Sequence, residues 1–266
     1  MSTASLRRAV ADLKARAPAR RPAVPEDRLE FANALGIVPD PWQERLLRSE
    51  APRVLLNCAR QSGKSTMAGV VALHKSLLTP SSLILILAPA ERQAKELFSK
   101  VAEAYRVLGH VIPAESYRKL GMELTNGSRI EALPGTEKTV RGFSGVDLLI
   151  VDEASRVADD LYYAVRPMLA ISGGRLMLVS TPYGKRGVFF EEWDGGKGWE
   201  RYEVPAIRCP RISAEFLEEE RRTLPAWIYR QEYECSFEET EDQVFSHELV
   251  SAAITDEVAP LFAEAS

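Results

Sequence analysis

Hydrophobic residues recur along this chain in two rhythms that take turns. Residues 53–59 and 83–88, RVLLNCA and LILILA, are short apolar runs with strong β preference, and each is followed by a stretch with helical spacing, 64–78 and 91–108. Strand, helix, strand, helix in that order predicts parallel strands covered on both faces by the helices that connect them. The rhythm then breaks. Residues 122–125 and 128–133 flank Asn126-Gly127, a dipeptide suited to the left-handed positions of a tight turn, so an antiparallel hairpin is expected to be inserted here. Alternation resumes with DLLIV at 147–151, a helix over 159–170 and the core strand RLMLVS at 175–180. Beyond Gly184 it is expected to stop: Pro205 and Pro210 punctuate a loop, Ser213 is placed to cap the helix AEFLEEERRTL, and an aromatic-rich helix follows around 227–233. Upstream, a short helix is predicted between Pro25 and Gly36. Another opens at Asp40-Pro41, with Asp40 at the N-cap and Pro41 at the first helical position.

A chain of 266 residues can bury one large core and a small satellite. The expected division is an N-terminal helical arm at 1–38, a core at 39–184 and a small helical lid at 185–266 that runs into a linker. In the arm, Leu6, Val10 and Leu13 mark one stripe of a helix among Arg7, Arg8, Lys14, Arg16, Arg20 and Arg21, which reads as a solvated or subunit-docking segment. No apolar run approaches the ~20 residues that cross a bilayer, and the first residues lack the apolar stretch of a secretion signal. Cys58, Cys209 and Cys235 form neither a CxxC pair nor a metal-ligand spacing, and His74, His110 and His247 are equally scattered. A zinc site is therefore not expected, and a reducing, intracellular setting is. The formal net charge of -4 restricts any nucleic-acid contact to a local patch.

Chemistry enters between the first strand and its helix, at Arg60-Gln61-Ser62-Gly63-Lys64-Ser65-Thr66. A strand, a short loop and a helix N-terminus are what a phosphate loop requires: backbone N–H groups cradle the phosphates, Lys64 reaches the β and γ oxygens, and the Ser65 hydroxyl ligates Mg²⁺. The strict pattern asks for glycine where this chain has Cys58. A second signal is Asp152-Glu153, at the carboxyl end of a buried strand, where open α/β sheets bind ligands. Asp152 is expected to hold Mg²⁺, directly or through water, and Glu153 to polarise the attacking water as general base. Ser180-Thr181-Pro182 closes another core strand. It reads either as a strand-ending turn or as a polar contact to the attacking water or γ-phosphate that transmits its loss to the lid. Trp42-Gln43 lies ten residues before the first strand. Gln43 suits an adenine edge, yet it equally completes a capping box with Asp40, leaving Trp42 to the core. Arg141, in a glycine-flanked loop that can present its guanidinium to a neighbouring subunit's γ-phosphate, ranks first among candidates to stabilise charge developing in the transition state, and Arg60 second.

Read together, PWQ, CARQSGKST, LILILAPAERQAKELF, TVRGFSGVDLLIVDEA and LVSTP resemble the ATPase domain of the tailed-phage large terminase subunit over residues 40–240. The arginine-bearing phosphate loop without its leading glycine is characteristic of that family, and FLEEERR with the later YRQEYECSF resembles its lid region. The resemblance implies an α/β fold, a P-loop NTPase of the ASCE/RecA-like kind, with a mainly parallel central sheet flanked by helices, an inserted β-hairpin and a small C-terminal helical lid. It implies ATP and Mg²⁺, with hydrolysis powering translocation of double-stranded viral DNA into the procapsid. The implied partners are that DNA, the portal protein, the small terminase subunit and further copies of the chain in a homo-oligomeric ring, a pentamer on the portal, in the host cytoplasm. By the same resemblance Arg141 matches the trans-acting finger, Gln43 the adenine-contacting glutamine, and Ser180-Thr181 the coupling motif. Large terminases usually continue into an RNase H-like nuclease, whereas this chain ends at Ser266 before any such acidic cluster, so nuclease activity is not expected from it. Superfamily 2 helicases share the motif order but normally need a second RecA-like domain. A non-catalytic docking module with a vestigial nucleotide site is argued against by the intact Lys64, Asp152 and Glu153.

Overall fold

The computed structural model describes residues 23–135, 140 and 142–239; Arg141, the basic segment at 1–22 and residues from 240 onward lie outside the described residues. Among the described residues two short helices come first, α1 (Arg28–Ala34) and α2 (Pro41–Arg48), the former capped by the Asp27 carboxylate, which accepts from the Leu29 and Glu30 N–H groups. The expected alternation follows as β1 (Arg53–Cys58), α3 (Lys64–Leu78), β2 (Leu83–Ala88) and α4 (Glu91–Val107). After the antiparallel insertion come β6 (Leu148–Asp152), α5 (Asp159–Val165) and β7 (Arg175–Ser180). The helix expected to run to residue 170 tightens into a 3₁₀ turn, Arg166–Leu169. Pro167 has no N–H to continue the α ladder, which accounts for the change.

The eight strands form one sheet in the order β3 (Ala114–Arg118), β4 (Gly121–Leu124), β5 (Arg129–Pro134), β2, β6, β7, β1 and β8 (Glu200–Val204). From β5 to β8 every neighbouring pair is parallel, and β4 and β3 add an antiparallel edge. In a parallel sheet buried on both faces, successive side chains enter opposite cores. Ile84, Ile86 and Ala88 of β2 accordingly join Val54 and Leu56 of β1 on the face covered by α3 and α4. Leu83, Leu85 and Leu87 join Leu149 and Val151 of β6 on the face covered by α5.

Two expectations need correction. The inserted hairpin around Asn126-Gly127 is present as β4 (Gly121–Leu124) and β5 (Arg129–Pro134), with Gly127 at φ +81°, but a third strand, β3 (Ala114–Arg118), extends it into a meander. Its sequence AESYR is polar because it is an edge strand with exposed faces, so it carries no apolar signal. More consequentially, the alternation does not stop at Gly184. Helix α6 (Gly187–Asp194) and strand β8 (Glu200–Val204) complete another β/α step, with β8 running parallel beside β1. The ERYEV strand hides this step by its charges: Tyr202 and Val204 are buried, while Glu200 is taken up by Ser49 and Tyr202 at the sheet edge. Helices α7 (Ala214–Thr223) and α8 (Ala226–Glu234) follow as expected, α7 capped by Ser213, whose hydroxyl accepts from the Phe216 N–H at 3.2 Å. Among the described residues no helix is long and apolar enough to cross a membrane.

Candidate functional site

Because β6, β7 and β1 are adjacent and parallel, their carboxyl ends present Asp152, Ser180 and Cys58 along one edge of the sheet. The chain leaves β1 through the loop at 59–63 and enters α3 at Lys64. Two residues in this loop hold left-handed backbone, Gln61 at φ +59° and Gly63 at φ +90°. Such reversals turn successive N–H groups toward one side, and at the start of a fifteen-residue helix they add to the positive end of its dipole. Cys58 itself lies within β1 and is fully buried. The left-handed turns thus fall later in the loop, and nothing in the backbone at Cys58 requires glycine.

A cleft of about 670 Å³ opens over this edge, lined by Arg60, Gln61, Gly63, Lys64, Ser65 and Thr66 of the loop and helix, by Asp152 and Glu153 after β6, and by Thr181 after β7. Lys64 reaches across the edge: its Nζ donates to Thr181 Oγ1 at 3.0 Å and stands 3.7 Å from Glu153 Oε1. Ser65 Oγ is 3.4 and 3.5 Å from the two Asp152 carboxylate oxygens. Burial of Asp152, then the neighbouring Glu153 charge, push its carboxyl up to about 6, against the pull of Lys64 and Lys100. Glu153 sits at φ +50°, a conformation uncommon for a residue with a side chain, and one that turns the chain directly after the strand.

Ser180 and Thr181 are both buried, and they do more than end a strand. Ser155, two residues after Glu153, shares a 2.7 Å hydroxyl–hydroxyl bond with Ser180; its N–H donates to Ser180 Oγ at 3.2 Å and its hydroxyl to the Thr181 carbonyl at 2.8 Å. The turn carrying Glu153 is thereby fastened to the end of β7.

Arg60 projects toward the lid. Its guanidinium pairs with the Glu232 carboxylate of α8, which raises the arginine further, and the Arg60 backbone N–H donates to the Glu232 carbonyl at 3.1 Å. Trp42, Gln43 and Ser62 do not line the cleft. Trp42 packs against the core, and Gln43 Oε1 accepts from the Asp40 N–H at 2.9 Å, the glutamine arm of a capping box. Gln43 Nε2 lies 3.4 Å from the Ser62 carbonyl, so both ends of the amide are engaged, and the Ser62 side chain is fully buried.

Several lining residues carried no sequence signal. Arg92, Gln93, Glu96 and Lys100 come from one face of α4, and Arg156 is stacked 3.9 Å from the centre of the Tyr183 ring. Helix charges at this spacing read as a solvated face, and the pairing of Arg60 with Glu232 spans 172 positions.

The site fits magnesium in one respect that can be read from its donors. Ser65 and Asp152 are hard oxygen ligands side by side, and among the described residues no group of three or more His, Cys, Asp or Glu could hold a metal alone. Magnesium typically takes one or two protein oxygens and completes its shell with phosphates and water.

Comparison with known proteins follows the same line. Residues 55–252 match the family model for the terminase large subunit, T4likevirus-type, N-terminal. The large terminase subunit of Thermus virus P23-45 is 28% identical over 253 residues, an overlap of 82% of this chain and 52% of that protein. The chain therefore spans about half the length of the curated relatives it matches. Among solved structures, the large terminase ATPase domain of Thermus phage P74-26 superposes with a TM-score of 0.70 at 25% identity, covering 79% of this chain and 98% of that one. A large terminase from another thermophilic bacteriophage, solved in complex with ADP, gives a TM-score of 0.64 at 10% identity over 75% of this chain and 54% of that one, a likeness of fold.

Proposed function

The chain belongs to the large terminase subunit family through that family's N-terminal part, and from this we propose that it binds and hydrolyses ATP to drive double-stranded viral DNA into a procapsid. The observation that carries the reading is the convergence of Lys64, Ser65, Asp152, Glu153 and Thr181 on one cleft at the carboxyl edge of the sheet. In this reading the loop N–H groups and the Lys64 ammonium bind the β- and γ-phosphates of ATP. Ser65 and Asp152 are the residues that would hold magnesium, whose contribution when bound is to neutralise phosphate charge. Glu153 takes the proton of the attacking water, and its place beside Lys64 keeps it within reach of the same phosphate. Ser180 and Thr181 link that turn to β7, while Arg60 links the loop to α8, so the state of the γ-phosphate has a route to the lid through Arg60 and Glu232.

The finer reading follows the family. Arg141 acts on a neighbouring subunit's nucleotide, and the working assembly is a homo-oligomeric ring of five on the portal, with the small terminase subunit, in the host cytoplasm. The test of the nucleotide assignment is Lys64→Ala in the purified chain. We expect loss of ATP binding and of single-turnover hydrolysis; unchanged turnover would remove the phosphate-loop assignment.

A further inference from the structure

Arg211 lies in the loop between β8 and α7, and neither its position nor its neighbours mark it in the sequence. Its guanidinium grips the Asp40 carboxylate with both arms, Nη1 to Oδ1 at 2.9 Å and Nη2 to Oδ2 at 2.7 Å. The second hydrogen of Nη2 is then free for another acceptor, and it goes to the Ser62 carbonyl of the phosphate loop at 3.0 Å. Asp40 is nearly buried at the N-cap of α2, so the carboxylate that aims the guanidinium is itself fixed.

What this does to the loop follows from the geometry of a peptide. In a trans peptide the C=O and the next N–H point in opposite directions. Holding the Ser62 oxygen outward, toward Arg211 and Gln43, turns the Gly63 N–H the other way, and Gly63 lines the cleft. Gly63 has the conformational freedom to rotate, being at φ +90° with no side chain to resist, so the peptide needs an external hold. A flipped peptide would present a carbonyl oxygen where phosphate oxygens are to bind. The space beside Gly63 is closed by the same two groups: a Cβ there would meet Gln43 Nε2 at 2.9 Å and Arg211 Nη2 at 3.4 Å.

We propose that Arg211 is a positioning residue for nucleotide binding, holding the Ser62–Gly63 peptide so that its N–H faces the phosphates. The proposal rests on the nucleotide reading given above. Lysine cannot replace it, because one ammonium does not supply a two-armed grip on Asp40 together with a third directed bond to Ser62. The Gly63 N–H contacts phosphate in the ground state and in the transition state alike, so its loss weakens binding without slowing the bound enzyme.

The experiment compares the native chain with Arg211→Lys and Arg211→Met, measuring Mg-ADP affinity by calorimetry, KM and kcat for ATP, and the thermal midpoint without nucleotide. The Arg211 side chain is half exposed, so neither substitution leaves a buried void. The expected result is a loss of ADP affinity and a rise in KM on the order of ten-fold in both variants, the worth of one charge-assisted bond, with kcat at saturating ATP retained. Native affinity and KM in both variants overturn the proposal, as does a fall in kcat alone that tracks a lowered thermal midpoint, since that marks a role in folding only. A native chain that binds no ADP fails at the nucleotide reading itself, and the proposal falls with it.

Discussion

The Asp152 carboxyl shows what it costs to build this site. It closes a buried strand beside Ser65 and Glu153, and burial, then the Glu153 charge, lift its titration to about 6 from the usual 3.8 against the pull of Lys64 and Lys100. A carboxyl whose folded value is raised binds its proton more tightly in the native state than when unfolded. Its favourable contribution is therefore complete below about pH 4 and is lost as pH rises through about 6. At neutral pH the buried charge then works against folding by up to about 3 kcal/mol. Without nucleotide or divalent cation, Asp152→Asn is expected to be more stable than the native chain by about 1–3 kcal/mol at pH 7.5, with the gap closing below pH 4. Equal midpoints at pH 7.5 in denaturant titrations would count against this. At this scale much of the site was legible: Lys64, Ser65, Asp152, Glu153 and Thr181 stand at motif spacing, and the structure brings all five to one cleft. Ser155, Glu232 and Arg211 were not, because each acts through a partner between 25 and 172 positions away, and sequence spacing holds no record of such pairings.

At the scale of elements, parallel strands with all their residues buried were the easiest to read, since LILILA can belong only inside. Edge strands were the hardest. A strand with one flank exposed carries charges where a central strand carries leucine, and both β3 and β8 were lost for that reason. Strand β8 is nonetheless integral to the sheet. Tyr202 is fully buried, its hydroxyl bonds to Glu200, and Arg45 of α2 lies 4.1 Å over its ring. Tyr202→Ala is therefore expected to destabilise the entire cooperative unit by about 3 kcal/mol, as large-to-small changes in cores do. An unfolding midpoint within a degree of the native chain's would instead mark β8 as a dispensable strap. The fastening of α8 to the loop at 59–63 through Arg60 and Glu232, and of its C-cap Cys235 to β1 through the bond from Asn57 Nδ2 to the Cys235 carbonyl at 2.9 Å, places α8 in direct touch with the cleft's edge.

For the whole molecule, the proposed motor needs neighbours. Arg141 lies outside the described residues, and its role rests on its motif match. Arg141→Ala is expected to bind ATP as the native chain does yet lose the hydrolysis stimulated by assembly. Mixing it with Glu153→Gln subunits should partly restore activity, because each variant supplies what the other lacks. Absence of any restoration would favour a role within one subunit, or none. The charge of the chain, -4, would confine any DNA contact of the proposed motor to a limited patch.

The claim beneath all of this is that one cleft holds a triphosphate between Lys64 and the Asp152-Glu153 pair. Glu153→Gln tests it most directly, because the amide keeps the shape of the side chain while removing its capacity to take a proton, together with the charge that faces Lys64. Measured side by side, Mg-ATP binding and single-turnover hydrolysis should part company: affinity within about three-fold of native, and a hydrolysis rate reduced by roughly 10² or more, the typical worth of a positioned general base. Hydrolysis at the native rate in that variant would place the base elsewhere and contradict the account.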